Sequence, residues 1–222
     1  MPMAPPRQIV EQMVRQALYA RVGKAVPRAG APPDAPVVSV KARHCHLTQD
    51  AVEALFGPGA RLTPHRALHQ PGRFAANETV TIVGPRSRMI SNLRVVGPCR
   101  SENQVELAYS DGVALGFDLT QRLSGDLEGT PGAMLMGPAG FFEMPRGVIR
   151  AMRHVHMGPA DAERYGVKHG DLMRLRVGGE ASLTLDRLVV RVDPAARLQV
   201  DIDTDEGNAC NLRPETPSEL VK

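Results

Sequence analysis

One phrase occurs twice in this chain and constrains it more than any other feature. Arg43-His44-Cys45-His46-Leu47 returns as Arg153-His154-Val155-His156-Met157, at a displacement of 110 residues. Each copy reads Arg-His-x-His-apolar, then a polar turn, then a segment of helical character, at 50–56 and 161–165. In a strand, side chains i and i+2 share a face. Each copy therefore presents two imidazoles side by side, about 7 Å apart by strand rise. Four of the seven histidines fall in these two phrases. A single His-x-His is commonly a surface accident, but two with matching flanks point to metal. Four imidazoles can fill one structural zinc site, or they can split between two metals and leave open positions for substrate.

The chain around the phrases is rich in punctuation. With 21 Gly, 19 Pro and only 4% aromatic residues, it suits many short elements joined by turns around an aliphatic core. Apolar residues at helical spacing from Ile9 to Val22 predict an amphipathic helix within 1–24, and a Pro-rich tether follows at 25–36. Such a helix on a tether suits docking on a partner better than membership of the main core. From Val37 onward, strands are expected at 37–40, 79–83, 91–96, 104–108, 133–136, 147–152, 172–177, 188–192 and 198–203. Thr48 is a candidate N-cap for a helix ending near Gly57. The spacing argues for a mainly β fold of small barrels rather than a βαβ sheet.

Several further residues could carry chemistry. Glu106 sits inside an apolar strand, where it either faces solvent or joins the histidines. Arg100 follows the turn Gly97-Pro98 and could be aimed into a cleft. Asp201, Asp203, Asp205 and Glu206 form an acidic run that supplies carboxylate ligands or caps a turn. Cys45 points away from its flanking histidines by alternation, Cys99 is expected to pack, and Cys210 has no evident partner. His65, His69 and His169 fall outside the repeated pattern and are not expected to be ligands. Three widely spaced cysteines make no disulfide framework, which favours a reducing compartment. No P-loop, nucleotide fingerprint or serine-hydrolase elbow is present. A net charge of +3 without a basic stripe gives no reason to expect nucleic acid, and no stretch reaches membrane-spanning length.

The ordered phrases 40–47, 70–76, 104–106, 124–126, 153–157 and 203–209 resemble the PduL-type phosphotransacylases (phosphate propanoyltransferases) of bacterial microcompartments. The resemblance runs from about residue 37 to 212. It implies two small β-barrel domains with short intervening helices and an N-terminal amphipathic helix. One barrel would use 37–46 plus 153–222, the other 47–152. It also implies two zinc ions per chain, held between the barrels by His44, His46, Glu106, His154 and His156, with Arg100 as the phosphate holder. Where that family's pattern carries a ligand histidine, this chain has Asp201, and carboxylate can also bind zinc. The implied reaction transfers a short acyl group, typically propanoyl, between coenzyme A and inorganic phosphate, in keeping with propanediol degradation. Residues 1–24 would dock on shell or lumen proteins, placing a homo-oligomeric enzyme within a microcompartment of a bacterial cytoplasm.

Two rivals remain at this stage. A zinc hydrolase of thioesters or acyl phosphates would use water in place of phosphate. A non-catalytic, shell-associated scaffold would hold one fully protein-coordinated zinc.

Overall fold

The chain changes sheets twice, each time within two residues of a histidine pair. The computed structural model describes residues 36–222, so the helix expected within 1–24 and nearly all of the 25–36 tether lie outside the described residues. Strand β1 (Val37–Lys41) leads into β2 (His44–His46) and helix α1 (Gln49–Phe56). Then come β3 (Pro64–Ala67), β4 (Phe74–Val83), β5 (Met89–Gly97), β6 (Gln104–Glu106) and helix α2 (Tyr109–Leu115). Strands β7 (Gln121–Arg122), β8 (Ala133–Met136), β9 (Phe141–Met144) and β10 (Val148–Ala151) follow. The second histidine strand, β11 (His154–Met157), precedes helix α3 (Pro159–Tyr165), β12 (Leu172–Val177) and β13 (Leu183–Val192). Strand β14 (Gln199–Asp203), helix α4 (Thr204–Ala209) and β15 (Ser218–Val221) complete the order.

The fold is mainly β, built from two curled, half-barrel sheets. One runs β1-β14-β11-β13-β12-β15; the other runs β7-β10-β6-β2-β5-β4-β8-β9, with β3 on β4. Strand β1 pairs with β14. Its neighbour in sequence, β2, lies between β5 and β6 in the other sheet. The crossing therefore falls at Ala42-Arg43, and His44–His46 belongs to the central sheet rather than to the set 37–46. The second crossing mirrors it: β10 pairs with β6, and Met152-Arg153 carry the chain over to β11 in the C-terminal sheet.

Burial follows the pleat. In β12, Met173, Leu175 and Val177 turn inward while Leu172, Arg174 and Arg176 face outward. The central core gathers Cys45, Leu47, Leu55, Ile82, Leu93, Val95 and Leu135. The C-terminal core gathers Val155, Met157, Met173, Leu175, Leu188, Val190 and Val200. Both are aliphatic, as a chain without Trp requires.

Each histidine strand runs into a helix with legible ends. Thr48 caps α1, its Oγ accepting from the Ala51 N–H at 3.2 Å. Pro159 opens α3, and Gly166 closes it with φ +63°, where a side chain is strained. The strand expected at 104–108 ends at Glu106, because α2 starts at Tyr109 and takes Ala108 as its N-cap. No helix among the described residues is long and apolar enough to cross a membrane.

The β8–β9 turn fixes the end of α1. The Leu55 carbonyl accepts from the Ala139 N–H at 3.0 Å. A Cβ on Gly137 would meet that same carbonyl oxygen at 2.3 Å, too close without moving backbone. Gly137→Ala should therefore destabilise the fold by about 1–3 kcal/mol. Urea unfolding measures this, and an unchanged midpoint would show that the turn does not hold the helix.

Candidate metal centre

Strand pairing assembles the donors. In the antiparallel pair β2/β6, His44 stands opposite Glu106 and His46 opposite Gln104. In the antiparallel pair β11/β14, His154 stands opposite Asp201 and His156 opposite Gln199. Opposed residues and their i±2 neighbours share one face of a sheet. Two triads result, His44/His46/Glu106 and His154/His156/Asp201, each with its ligand atoms mutually within 4.8 Å. The four imidazoles thus divide two and two between separate three-donor sets.

Hydrogen bonds fix which ring nitrogen faces inward. His44 Nδ1 lies 2.9 Å from the Ala42 carbonyl, His46 Nδ1 3.0 Å from the Val96 carbonyl, and His154 Nδ1 2.7 Å from the Met152 carbonyl. A carbonyl only accepts, so each Nδ1 carries the proton and each Nε2 presents its lone pair. In the C-terminal triad, the Nε2 atoms of His154 and His156 are 3.1 Å apart. They lie 3.4 and 3.5 Å from Asp201 Oδ2. Tetrahedral ligands with zinc bonds of about 2.0–2.1 Å stand about 3.3 Å from one another. In the N-terminal triad, Glu106 Oε2 lies 3.4 Å from His44 Nε2, and Oε1 lies 3.8 Å from His46 Nε2. Donor types, the three fixed tautomers and the spacing fit zinc, with three protein donors in each set.

The remaining carboxylate capacity is also used. Gln104 Nε2 donates to Glu106 Oε1, and Gln199 Nε2 donates to Asp201 Oδ1. Such partners orient a ligand and raise its basicity. The sequence reading did not single out either glutamine. The recurring Gln104-Val105-Glu106 and Gln199-Val200-Asp201 was the signal available for them.

One cleft joins the triads. His44 and Glu106 line it from the central sheet, His154 and Asp201 from the C-terminal sheet, with Lys41 and Ala151 at its sides. Arg100 stands beside it. Its Nη1 donates to Ser124 Oγ at 3.0 Å, which Gln104 Nε2 also reaches at 2.9 Å. Arg100 Nε is buried without a hydrogen-bond partner. A buried guanidinium with an unused donor is poised for an oxyanion. Burial, together with the nearby Arg73 and Arg191, pushes its pKa down to about 10, against the pull of Glu106. At neutral pH it stays charged, within a field of three arginines.

The cleft shifts its other titrating groups as a cation site would. Burial alone would raise Glu106, but His44, His46, His154 and Arg100 outweigh it and hold the carboxyl at about 2. Asp201 is likewise held below the usual range despite burial, through His154, His156 and Lys41. Burial and the neighbouring His44 lower His46 to about 3, against the pull of Glu106. Burial also lowers His156. At pH 7 the triads therefore hold two ionised carboxylates together with neutral His46 and His156.

The cysteines stand apart from this set. Cys45 is fully buried behind its strand, and desolvation pushes its thiol up. Cys99, also raised by burial, donates to Gln49 Oε1 at 3.7 Å. Asp203 pairs with Arg150 at 2.8 Å and caps α4, so it serves the frame rather than a triad. His65, His69 and His169 join neither donor group.

Residues 37–213 match the family model described as phosphate propanoyltransferase. The chain is 52% identical over 223 aligned positions to a phosphate propanoyltransferase of Planctopirus limnophila, covering 97% of this chain and 91% of that one. It is 49% identical over 177 positions to one of Thermotoga maritima, covering 79% and 84% of the two chains. A third, from Listeria monocytogenes, is 40% identical over 214 positions, covering 96% and 94%.

The depressed His46 gives a pH dependence with a definite sign. An unfolded imidazole takes up its proton near pH 6.5, whereas folded His46 resists until about pH 3. Between those values the unfolded state binds more protons, so stability of the metal-free chain falls as pH is lowered. Urea unfolding from pH 7 to pH 4 should show this decline, and His46→Gln should flatten it. An unchanged slope in the variant would assign the acid sensitivity elsewhere.

Proposed function

The chain belongs to the phosphate propanoyltransferase family, and from that premise we propose that its acyl transfer takes place at a two-zinc site formed by the paired triads. The transfer runs between coenzyme A and inorganic phosphate, and the protein is an acyltransferase. The observation that carries the site is one cleft lined by two donors of each triad, with a buried arginine nearby whose Nε has no partner.

His44, His46 and Glu106 would hold one ion, and His154, His156 and Asp201 the other. When bound, zinc would supply a Lewis acid for the thioester carbonyl and an affinity for the departing thiolate. The chain's own residues do the remainder. Arg100, held by Ser124, offers its free Nε–H to a phosphate oxygen and fixes that anion for attack. Arg73 and Arg191 raise the local positive potential and favour entry of phosphate and of the coenzyme's phosphate groups. The attacking phosphate oxygen bonds to the acyl carbon, and the carbon–sulfur bond breaks to release coenzyme A. No cysteine is set up as a nucleophile: burial raises the thiols of Cys45, Cys99 and Cys210 alike, and Cys45 is sealed in the core.

Three further expectations extend this reading. Residues 1–24 dock on microcompartment shell or lumen proteins, the enzyme works inside that compartment, and it assembles as a homo-oligomer. These rest on the amphipathic pattern from Ile9 to Val22 and on the family.

The direct test is acyl phosphate formation from propanoyl-CoA plus phosphate, with and without a chelator. Chelation should abolish turnover, and zinc should restore it. Consumption of propanoyl-CoA that ignores phosphate would mean hydrolysis instead. His154→Ala should reduce kcat at least about a hundredfold through loss of a ligand. Arg100→Ala should chiefly raise the KM for phosphate, by about 10–100-fold, as expected for a lost charge-assisted hydrogen bond. Wild-type rates in His154→Ala would place the site elsewhere. Deleting residues 1–24 should leave turnover in solution intact.

A further inference from the structure

The two triads match donor for donor, yet their surroundings differ at one position. Ser39 lies opposite Asp201 in the parallel pair β1/β14, and Ile149 lies opposite Glu106 in the parallel pair β10/β6. Two residues onward in each strand come Lys41 and Ala151, which are therefore equivalent and both line the cleft. Lys41 Nζ lies 3.1 Å from Asp201 Oδ2. That oxygen is also the one facing His154 and His156, since Gln199 occupies Oδ1. Glu106 has no ammonium at the corresponding place. The side chains closest to its oxygens are its fellow donors His44 and His46 and the orienting Gln104.

We propose that Lys41 sets the metal affinity of the C-terminal triad: its ammonium competes with a divalent cation for Asp201 Oδ2, making this triad the weaker and more readily emptied of the two. The inference rests on the reading that both triads bind metal. Each triad contributes one carboxylate to its ion. Lys41 places a positive charge directly on the ligand oxygen of Asp201, whereas Ala151 places none on Glu106, and the nearby Arg100 is hydrogen-bonded to Ser124. Affinity for a divalent cation rises with ligand charge. An ammonium and a metal sharing one oxygen also stand only about 4–5 Å apart and repel. The Lys41 side chain is about one-third exposed, at 32%, so it can swing toward water when an ion enters. Lys41 is thus a positioning and selectivity residue rather than a ligand.

The test is titration of the metal-free, full-length chain with Zn2+ against a competing chromophoric indicator. Wild type should show two affinities separated by about tenfold or more. Asp201→Asn should remove the weaker, and His44→Ala the tighter. Lys41→Met should strengthen the weaker site by about tenfold or more and leave the tighter one unchanged. Lys41→Arg, which keeps the charge, should resemble wild type. Thermal melting of each metal-free variant checks folding. If Lys41→Met fails to fold, Ala151→Lys carries the converse test, because an amine beside Glu106 should weaken the tighter site. The inference is overturned if Lys41→Met leaves the weaker constant unchanged or lowers it, if Ala151→Lys does not weaken the tighter site, if Asp201→Asn removes the tighter site, or if wild type shows two equal sites. Absence of zinc binding at either triad would instead overturn the two-metal reading, and this inference with it.

Discussion

The antiparallel register between each histidine strand and its acidic partner is the constraint on which the site depends. A ligand set needs three donors within a few ångströms, and a strand alone supplies only two imidazoles on one face. The third must come from a neighbouring strand at the matching height. Pairing His44 with Glu106 and His154 with Asp201 achieves that twice. A one-residue slip would turn Val105 or Val200 toward the cleft and bury the carboxylate in the core. Fully buried Cys45, Val155, Val105 and Val200 oppose such a slip, because each would lose its apolar surroundings. The core packing and the donor geometry therefore enforce the same register.

The crossings decide where the two sets meet. The leading strands β1 and β10 exchange sheets with the histidine strands they precede, so each triad is flanked by the strand that leads into the other triad's histidines. The arginine of each repeated phrase secures the crossing. Arg43 pairs with Asp111 in the first turn of α2, and Arg153 pairs with Glu206 in the first turn of α4. Both helices follow the acidic strand of the same triad. Each acid also receives the backbone N–H three residues earlier, at Ala108 or Asp203. The conspicuous Arg of Arg-His-x-His is thus a brace between crossing and helix, while the guanidinium left with an unpartnered Nε is that of Arg100.

Much of this was legible because repetition made it so. The paired histidines, the Thr48 cap and most strands follow from alternation, capping chemistry and the duplicated phrase. Pattern alone left Glu106 between solvent and ligand and Asp201 between ligand and turn cap, and only the family resemblance set them beside the histidines. What escaped had weak local signals. Strand β3 contains Pro64 and is exposed along its length, so neither propensity nor burial marks it. Helix α2 begins two residues after Glu106 with no polar capping side chain at Ala108, and so merged into the strand before it. The boundary at 46 overran because nothing in Lys41-Ala42-Arg43 announces a change of sheet; only long-range pairing reveals it. Gln104 and Gln199 escaped because an amide acts here through another residue, and its role exists only once the carboxylate is placed.

Asp201 is where family expectation and internal symmetry diverge. The resemblance expects an imidazole at that position, which makes the aspartate look like a loss. The repeat expects an acid, since Gln-Val-Glu in one half answers Gln-Val-Asp in the other. Physical detail sides with the repeat. A carboxylate has two oxygens, and here Oδ1 takes the Gln199 amide while Oδ2 faces His154 and His156. Glu106 is anchored in the same way by Gln104, although its Oε1 takes that amide and also faces His46, leaving Oε2 to His44. Buried charge without a counter-charge would be costly, and Lys41 supplies one at 3.1 Å. The aspartate therefore comes with a glutamine anchor, a cationic neighbour and a donor spacing suited to zinc. It completes a second carboxylate triad whose one negative charge Lys41 offsets.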